Sequence, residues 1–534
     1  MTMRVRILLA GTFCVALLLR AQHIGTRSLW FDEAFTWRLA GLPISELLSR
    51  AVLDHNPPLY YLVLHGWMAL MGDSPAILRL PSVVCGALAV LAGAWLAADV
   101  ARQRSPGSRA YAARAALLAA LLLALNATQI RWGSEVRMYS LGTLLALLST
   151  AVLLRALHAQ RRAWLWAAHA ACMAAMLYTH TYGVFSWLAH ALYVAAQAAR
   201  DTRASRLCRY LAPAAGAATV PARPPLAGMR LIHAILAGMA AMALYAPWLP
   251  VLLAQRARVQ QDFWTRPVTA SYVLAATTQV CLTSEFAMPT PADSMAGGCL
   301  LAMGLAALLW RGRSGEWAVA ASAVVPLAGS LLLSAAGTHV LAPHYLIFAQ
   351  AHMLVGLALV LARARLSLEF AAVVAIATAA MLLPYANAQQ VLRIEEAPGA
   401  QGAARLIDQQ RTSGEPVVVC TPLYYLPIVY HLSNREHVYV HRPSQGWPRY
   451  HGTAVLTEKD EMLPETLSRL ASGQVWVVDM RGGGWGECRL HVPEAWQRLA
   501  EHRFREAYPM QGEVVVRIYA IPAASAAQAG GPPP

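Results

Sequence analysis

Two long stretches without Asp, Glu, Lys or Arg constrain this chain more than any other feature. They cover residues 163–199 and 317–362. A helix rises about 1.5 Å per residue, so a single helix of either length would far exceed the ~30 Å apolar core of a bilayer. Each stretch therefore predicts two membrane-crossing helices joined by a turn. The turns are predicted at residues 180–183, with the sequence His-Thr-Tyr-Gly, and between residues 337 and 344.

Apolar runs of similar length recur through the first 386 residues. The chain is 57% hydrophobic and only 13% charged, whereas a soluble domain carries about 25% charged residues. We therefore predict a mostly α-helical, polytopic membrane protein with about eleven transmembrane helices. The remaining predicted spans are 7–22, 80–98, 115–130, 138–154, 231–254, 295–310 and 367–386.

The distribution of Arg predicts which face of the membrane each loop occupies. If the N-terminus is cytoplasmic, every inside loop contains Arg, and the two short outside turns contain neither Arg nor Lys, as the positive-inside rule requires. This bias explains the net charge of +15 without nucleic acid as a partner. An odd number of spans places the C-terminus outside. The Arg- and Ala-rich composition is typical of bacteria with GC-rich genomes, so we predict a bacterial cytoplasmic (inner) membrane with a periplasmic C-terminal domain.

Charged residues return after residue 387, where the predicted membrane domain, 1–386, ends. A helix-like stretch at 401–410 and short β-branched runs predict a small α/β domain over 387–522. The Ala-, Gly- and Pro-rich tail, 523–534, is predicted to be disordered. In an oxidising compartment Cys420 and Cys488 could pair as a disulfide or remain free thiols. The β-branched runs lie at 416–420, 474–479 and 514–519.

The first outer loop, about residues 23–79, contains adjacent carboxylates, Asp32 and Glu33, among Trp and Phe residues. Aromatic residues favour the membrane interface, where a carboxylate is partly desolvated and suited to act as a general base. The alternative is that Ser28 or Asp32 caps an interfacial helix. In the same loop His55 precedes a Pro-Pro pair, and it is either a phosphate or metal contact or a structural residue.

Other polar residues are predicted at the same face. Glu135, Arg137 and Tyr139 stand at the mouth of the fourth span, and the planar fork of an Arg suits phosphate oxygens. The alternative is an anchoring belt of Arg and aromatic residues. Polar groups at this boundary indicate a headgroup-sized polar substrate carried on a lipid. The next two outer turns add His180, Tyr182, His344 and Tyr345.

Several of these segments resemble one family of membrane enzymes. Residues 29–33, Leu-Trp-Phe-Asp-Glu, resemble the first outer loop of GT-C glycosyltransferases, most closely the family-39-like branch of protein O-mannosyltransferases and aminoarabinose transferases. Residues 57–61, Pro-Pro-Leu-Tyr-Tyr, and 135–139, Glu-Val-Arg-Met-Tyr, are similar to two further motifs of that branch. The resemblance covers roughly residues 1–350. One departure is His344, because many relatives carry Pro-Arg-Tyr where this chain has Pro-His-Tyr.

The resemblance implies a polyprenyl-phosphate-linked sugar donor and transfer, with inversion, to a lipid, glycan or protein acceptor at the outer face. By that analogy Asp32 is the general base, and Glu33 orients it or helps to hold a cation. Glu135 is the second acidic residue, and Arg137 stabilises the departing phosphate. A divalent metal cation is a further expectation, with Asp32 and Glu135 as ligands together with His55. The remaining residues expected to bind the donor are Tyr139, His180, Tyr182, His344 and Tyr345.

Two other functions were weighed against this prediction. A transporter or lipid flippase usually has ionisable residues at mid-bilayer and internal repeats, and this sequence shows almost no mid-span charge and no repeat. A non-catalytic membrane scaffold leaves the Asp32–Glu33 pair without an explanation. The sequence therefore favours a membrane glycosyltransferase.

Overall fold

The computed structural model describes most of the chain, and contact clustering divides it into two compact units. The first unit comprises Met1–Gln22, His55–Val63 and Leu80–Ala386, and the second comprises His23–Asp54, Leu64–Arg79 and Asn387–Pro534. The described residues are 2–159, 162–211, 226–261, 264–265, 267–280, 290–310, 312–364, single residues or pairs between 371 and 389, 398–470, 473–484, 486–508 and 511–522.

Helices dominate the chain up to residue 362. Two short 3₁₀ turns, Ala246–Trp248 and Pro343–Leu346, interrupt the helical run. The helices are α1 (Met3–Ala21), α2 (Phe31–Ala40), α3 (Ile44–Ala51), α4 (Leu59–Met71), α5 (Pro75–Arg104), α6 (Arg109–Leu125), α7 (Ala127–Trp132), α8 (Tyr139–His158), α9 (Ala163–Thr179), α10 (Gly183–Leu211), α11 (Leu226–Tyr245), α12 (Leu249–Gln261), α13 (Ala270–Thr278), α14 (Pro291–Leu309), α15 (Ser314–Ala335) and α16 (Ile347–Ala362).

Both breaks predicted in the uncharged stretches are confirmed. Helix α9 ends at Thr179 and α10 begins at Gly183, while α15 ends at Ala335 and a 3₁₀ turn precedes α16. The described residues contain six helical segments long and apolar enough to cross a membrane, which fits an integral membrane protein. The count of about eleven spans stays a prediction, and the predicted span 367–386 lies largely outside the described residues. The six segments are Pro75–Arg104, Tyr139–His158, Met229–Gln261, Pro291–Leu309, Ser314–Ala335 and Pro343–Ala362.

Small residues and buried charges hold the helices of the first unit together. A Cβ added at Gly142 of α8 would lie 2.5 Å from the Phe348 ring of α16, so only glycine fits there. The buried carboxylate of Glu316 joins three elements, because it accepts hydrogen bonds from Arg104 at 2.8 Å and Arg363 at 2.7 Å. The close contact at Gly142 holds α8 against α16 near the ends of these helices at which the candidate site lies.

The second unit contains a six-stranded sheet with the order β3-β2-β1-β4-β6-β5. β1, β2, β3 and β4 form the parallel part, and β6 pairs antiparallel with both β4 and β5. The predicted α/β architecture is confirmed, since the predicted helix and all three predicted strands are present. The elements are α17 (Gly399–Gln410), β1 (Val417–Val419), α18 (Pro422–His431), β2 (Val438–His441), β3 (Glu461–Met462), α19 (Pro464–Ser468), β4 (Gly473–Arg481), β5 (Gln497–Arg505) and β6 (Glu513–Ile521).

Helices from the first outer loop belong to this second unit. Helix α2 packs against α18, and Arg38 of α2 forms a 3.3 Å ion pair with Asp460. Arg50 of α3 donates to the carbonyl oxygens of Ala454 and Leu456, each at 3.0 Å. Most of residues 23–79 cluster with the residues after 387. The domain boundary at residue 386 stays a prediction.

Candidate functional site

Aromatic and imidazole rings from three turns that are predicted to lie at the outer face meet in the first unit. The ring centroid of His344 lies 4.8 Å from Trp132 and 5.4 Å from Tyr139. Tyr139 in turn lies 5.7 Å from His180. The residues predicted from the second outer turn, the 180–183 turn and the 343–346 turn are therefore neighbours in space.

Two further rings extend the group. Trp264 stacks on His344 with a centroid distance of 5.8 Å and an interplanar angle of 6°. Tyr345 lies 5.2 Å from His180 and 5.5 Å from Tyr182. Tyr182 is fixed through its hydroxyl, which donates to the Val340 carbonyl oxygen at 2.9 Å. We call Trp132, Tyr139, His180, Tyr182, Trp264, His344 and Tyr345 the aromatic cluster.

Buried charges lie directly beside the aromatic cluster. Arg131 forms an ion pair with Glu135, four positions later in the chain, and Glu135 is fully buried. The guanidinium of Arg137 lies 5.9 Å from the Tyr139 ring centroid, and that of Arg131 lies 5.5 Å from the Trp132 ring. Two guanidinium groups and one carboxylate give this group a positive charge. It can therefore attract an anion in a region of low dielectric constant.

His180 has a defined tautomer. Its Nδ1 accepts the backbone N–H of Tyr182 at 3.1 Å, so the ring hydrogen lies on Nε2. The side chain is 1% exposed, and Nε2 has no hydrogen-bond partner among the described residues. Burial, followed by the charges of His344, Arg137 and His55, holds the pKa of His180 well below its usual value. His180 thus offers a neutral N–H donor, and the predicted His55 belongs to the same electrostatic group.

Helix α7 is fixed by a chain of amide side chains. Asn126 caps the helix, since its side-chain oxygen accepts the Gln129 N–H at 3.1 Å. The same oxygen accepts from the amide of Gln350 at 2.8 Å, and the Gln129 amide donates to the Gln350 oxygen at 2.8 Å. All three side chains are buried. This network ties α7, which ends at Trp132, to helix α16, which follows His344 and Tyr345.

A buried Arg underlies the turn after α7. Arg20 is 1% exposed and donates to the carbonyl oxygens of Leu123 and Ala124 at the end of α6, at 3.0 and 3.3 Å. A Cβ at Gly133 would lie 2.8 Å from the Arg20 side chain and 2.7 Å from the Gln129 oxygen. Only glycine therefore fits at position 133, where the backbone lies close to Arg20. This position stands in the chain between Trp132 and the charged residues Glu135 and Arg137.

The proline-containing segment of residues 57–61 supports the same turn. The Tyr60 hydroxyl lies 2.8 Å from the Ser82 hydroxyl, and Ser82 donates to the backbone oxygen of Arg137 at 3.1 Å. Tyr60 and Ser82 are both buried. Two of the three segments that carry the family resemblance are therefore linked through one serine.

Glu33 occupies a different environment, in the second unit. Arg79 donates to its carboxylate from Nε at 2.8 Å and from Nη2 at 2.6 Å, and both side chains are 1% exposed. Arg79 also donates to the backbone oxygens of Ile24, Arg27 and Ser28. Glu33 therefore fixes the entry into α2 and holds residues 24–28 through Arg79.

Asp32 lies next to this pair, in the first turn of α2, and it is half-buried. The positive end of the helix dipole stabilises a carboxylate at this position. The structure therefore places Asp32 and Glu33 in the second unit and the other predicted site residues in the first. The role of Asp32 as general base stays a prediction.

The expected metal ligands were compared with the side chains present. Among the described residues, no group of three or more His, Cys, Asp or Glu side chains has a spacing that could hold a metal ion. The carboxylate of Glu135 is already engaged by Arg131. The metal therefore stays an expectation, and no step of the proposed reaction uses it.

Four residues that contact the predicted site residues were not predicted from the sequence. They are Arg131, Trp132, Trp264 and Arg79. Arg131 precedes Glu135 by four positions, a spacing typical of ion pairs on helices, so a local signal existed. Trp132 lies in the same segment, and Trp264 stands in a long loop with no pattern pointing to His344. Arg79 lies 46 positions from Glu33, and nothing local predicts their contact.

The fold is shared with solved membrane proteins. Similar structures include ArnT from Cupriavidus metallidurans in the apo state, with 15% identity and a TM-score of 0.56 over 95% of this chain and 97% of ArnT. ArnT bound to undecaprenyl phosphate gives a TM-score of 0.54 at 14% identity, over the same shares of the two chains. The oligosaccharyltransferase AglB from Archaeoglobus fulgidus gives 0.50 at 12% identity, over 89% of this chain and 69% of AglB.

No family model and no curated protein matches the sequence. The structural similarity confirms a GT-C-like fold, as the resemblance of the outer-loop motifs predicted.

Proposed function

We propose that this protein is a glycosyltransferase that moves a sugar from a polyprenyl-phosphate donor to an acceptor at the outer face of the bacterial cytoplasmic membrane. The observation that carries the proposal is the buried, positively charged group around Arg137 and His180, lined by aromatic rings. Guanidinium and imidazole N–H groups suit phosphate oxygens, and aromatic faces suit the apolar faces of a sugar ring. The GT-C-like fold supports this assignment, since one solved ArnT structure holds undecaprenyl phosphate and one AglB structure holds a dolichol phosphate.

The charges suit the reaction. An acceptor oxygen attacks the anomeric carbon with inversion, and the bond from that carbon to the phosphate oxygen breaks. Negative charge then grows on the leaving polyprenyl phosphate. Arg137 and the neutral Nε2–H of His180 stabilise this charge, which lowers the barrier because both groups are already fixed and desolvated. Asp32 takes the proton from the acceptor, and Glu33 keeps the start of α2 in place.

Glu135 has a supporting part in this proposal. Its carboxylate pairs with Arg131, so we assign the phosphate side of the reaction to Arg137. Tyr139 lies under Arg137 and restricts where that guanidinium can go. Tyr182, His344, Tyr345 and His55 surround His180 and form the wall against which the donor headgroup packs.

The test supplies the purified full-length protein, in lipid nanodiscs, with a panel of polyprenyl phosphates carrying single hexoses or pentoses. Released polyprenyl phosphate and the glycosylated product are measured by mass spectrometry. We expect one donor class to be consumed in the presence of a lipid, glycan or protein acceptor. If no donor is consumed and none binds, the proposed function is wrong.

Two variants separate the assigned roles. Arg137→Gln should lower kcat/KM by about 100-fold or more, as loss of a preorganised charge at a leaving group does, whereas Arg109→Gln, at the exposed start of α6, should not. Asp32→Asn should abolish transfer while donor binding persists, and Glu458→Gln is its exposed control. Transfer at the wild-type rate by Asp32→Asn would exclude Asp32 as the general base.

A further inference from the structure

Two cysteines of the second unit lie side by side along strand β4. Cys420 directly follows β1, and its backbone N–H donates to the Val478 oxygen at 2.9 Å. Cys488 forms an antiparallel bridge with Met480, with both backbone hydrogen bonds at 2.9 Å. In a strand, the backbone groups of residues 478 and 480 point to the same side. Cys420 and Cys488 therefore occupy consecutive places on the β1 side of β4.

The two thiols contact each other's residues reciprocally. The Cys420 Sγ donates to the Cys488 carbonyl oxygen at 3.2 Å, and the Cys488 Sγ donates to the Cys420 carbonyl oxygen at 3.2 Å. Cys420 is 2% exposed and Cys488 is half-buried. Burial, together with the neighbouring Cys488 thiol, raises the pKa of Cys420 well above its usual value. Each sulfur atom thus lies within 3.2 Å of the other cysteine's backbone.

We propose that Cys420 and Cys488 are a modification site, oxidised in the mature protein to a disulfide that joins the end of β1 to the segment that follows β4. The bond would close a loop over a sequence separation of 68 residues. Proteins exposed to an oxidising compartment form and keep such bonds. The distribution of Arg predicts that this domain faces that compartment.

The oxidant in this reaction is a disulfide carrier of the thioredoxin-like class, which accepts the two electrons that the thiols lose. The half-buried Cys488 attacks the carrier disulfide as a thiolate, which forms a mixed disulfide and releases one carrier thiolate. The Cys420 thiolate then attacks the Cys488 sulfur and releases the second carrier thiolate. Two thiols lose two protons and two electrons, and the carrier disulfide becomes a dithiol.

The position of the bond links it to the segment before Asp32. Residue 420 leads directly into α18, which begins at Pro422 and ends at His431. The Nε2 of His431 accepts the backbone N–H of Leu29 at 3.2 Å, three residues before Asp32. The disulfide would anchor the start of α18. The other end of α18 carries His431, which binds the backbone at Leu29, shortly before Asp32.

The direct test maps the cysteines without using activity. Intact cells are lysed in a maleimide that blocks free thiols, and the purified full-length protein is digested and analysed by mass spectrometry without reduction. We expect a cross-linked peptide pair containing Cys420 and Cys488, two hydrogens lighter than the sum of its peptides. Lysis in SDS makes the free thiol of Cys299, in helix α14, accessible, so Cys299 should carry maleimide. Maleimide on both Cys420 and Cys488 would overturn the proposal.

Variants give a second, independent measurement. Cys420→Ser, Cys488→Ser and their double variant should lower the thermal unfolding midpoint by similar amounts, on the order of 5–10 °C, because each removes the same cross-link. Reduction of the wild type should give the same shift, and reduction of the double variant should give none. Cys299→Ser is the matched control. The cross-link would be contradicted if the two single variants had different unfolding midpoints. It would also be contradicted if reduction left the unfolding midpoint of the wild type unchanged. A protein that transfers no sugar but yields the linked peptide would refute the proposed function alone.

Discussion

Arg79 donates two hydrogen bonds to the carboxylate of Glu33, from Nε at 2.8 Å and from Nη2 at 2.6 Å, and both side chains are 1% exposed. The remaining N–H groups of this guanidinium bind backbone oxygens of residues 24–28. The pair is thus fully engaged, and it fixes the turn from which helix α2 starts. Glu33 shapes the backbone that carries Asp32, its neighbour in the chain.

The first prediction concerns this ion pair. Arg79→Met should destabilise the protein by about 3–5 kcal/mol, because removal of one partner leaves a buried carboxylate without its counter-charge. Glu33→Gln should destabilise it less, since the amide still accepts from Arg79. Thermal unfolding of the purified protein measures both changes.

The control for this prediction is an exposed ion pair of the same unit. Arg442, whose side chain is 46% exposed, pairs with Glu461, and Arg442→Met should cost about 0–1 kcal/mol. Equal effects of Arg79→Met and Arg442→Met would contradict the structural role of the Arg79–Glu33 pair.

The parts of the fold that the sequence predicted depend on local patterns. The two uncharged stretches are each too long for one crossing of a bilayer. Their length therefore predicted a turn at residues 180–183 and a break before α16. The site residues His180, His344 and Arg137 were predicted because they stand at such turns. Contacts between distant segments have no local signal: Arg79 with Glu33, Trp264 with His344, and the grouping of α2 and α3 with the C-terminal sheet depend on tertiary packing.

The second prediction concerns the unpartnered donor of His180, whose Nε2 has no hydrogen-bond partner among the described residues. His180→Ala should lower the rate of sugar transfer by about 10–100-fold, since a hydrogen bond to a charged group contributes roughly 1.5–3 kcal/mol. His180→Gln retains an N–H donor at a similar distance and should lose less. Steady-state kinetics with the preferred polyprenyl phosphate sugar measure the change.

His158→Ala is the matched histidine control, because its Nδ1 contacts only the Leu154 oxygen one turn earlier among the described residues. It should transfer sugar at the wild-type rate. An equal loss in His158→Ala and His180→Ala would indicate a general effect on folding rather than a role in the site.

The third prediction concerns the space at Gly133. Gly133→Ala would place a methyl group 2.8 Å from Arg20 and 2.7 Å from the Gln129 oxygen, so the turn must shift. We expect a loss of sugar transfer together with a lower stability, by about 1–3 kcal/mol for an overpacked site. Gly107→Ala, where a Cβ would meet no heavy atom within 4 Å, should change neither measurement.

The fourth prediction concerns the pH dependence of stability. Glu506 is 3% exposed, its Oε1 accepts the Ala400 N–H at 3.0 Å, and burial raises its pKa from 4.5 to about 7. Between pH 4.5 and 7 the folded state therefore binds a proton that the unfolded state has lost. Unfolding releases this proton, so the contribution of Glu506 to the free energy of unfolding falls as pH rises through this window, and it is most favourable below pH 4.5.

The variant Glu506→Gln tests the sign of this effect. The neutral amide still accepts the Ala400 N–H but cannot ionise, so the variant should be more stable than the wild type at pH 8, by roughly 3 kcal/mol, and nearly equal to it at pH 4.5. Unfolding midpoints measured from pH 4.5 to 8 check both values. Glu494→Gln, at an exposed position, should follow the wild-type curve throughout. A wild type that gains stability over the Glu506→Gln variant as pH rises would contradict this prediction, because it would show that the buried carboxylate is stabilised in its charged form.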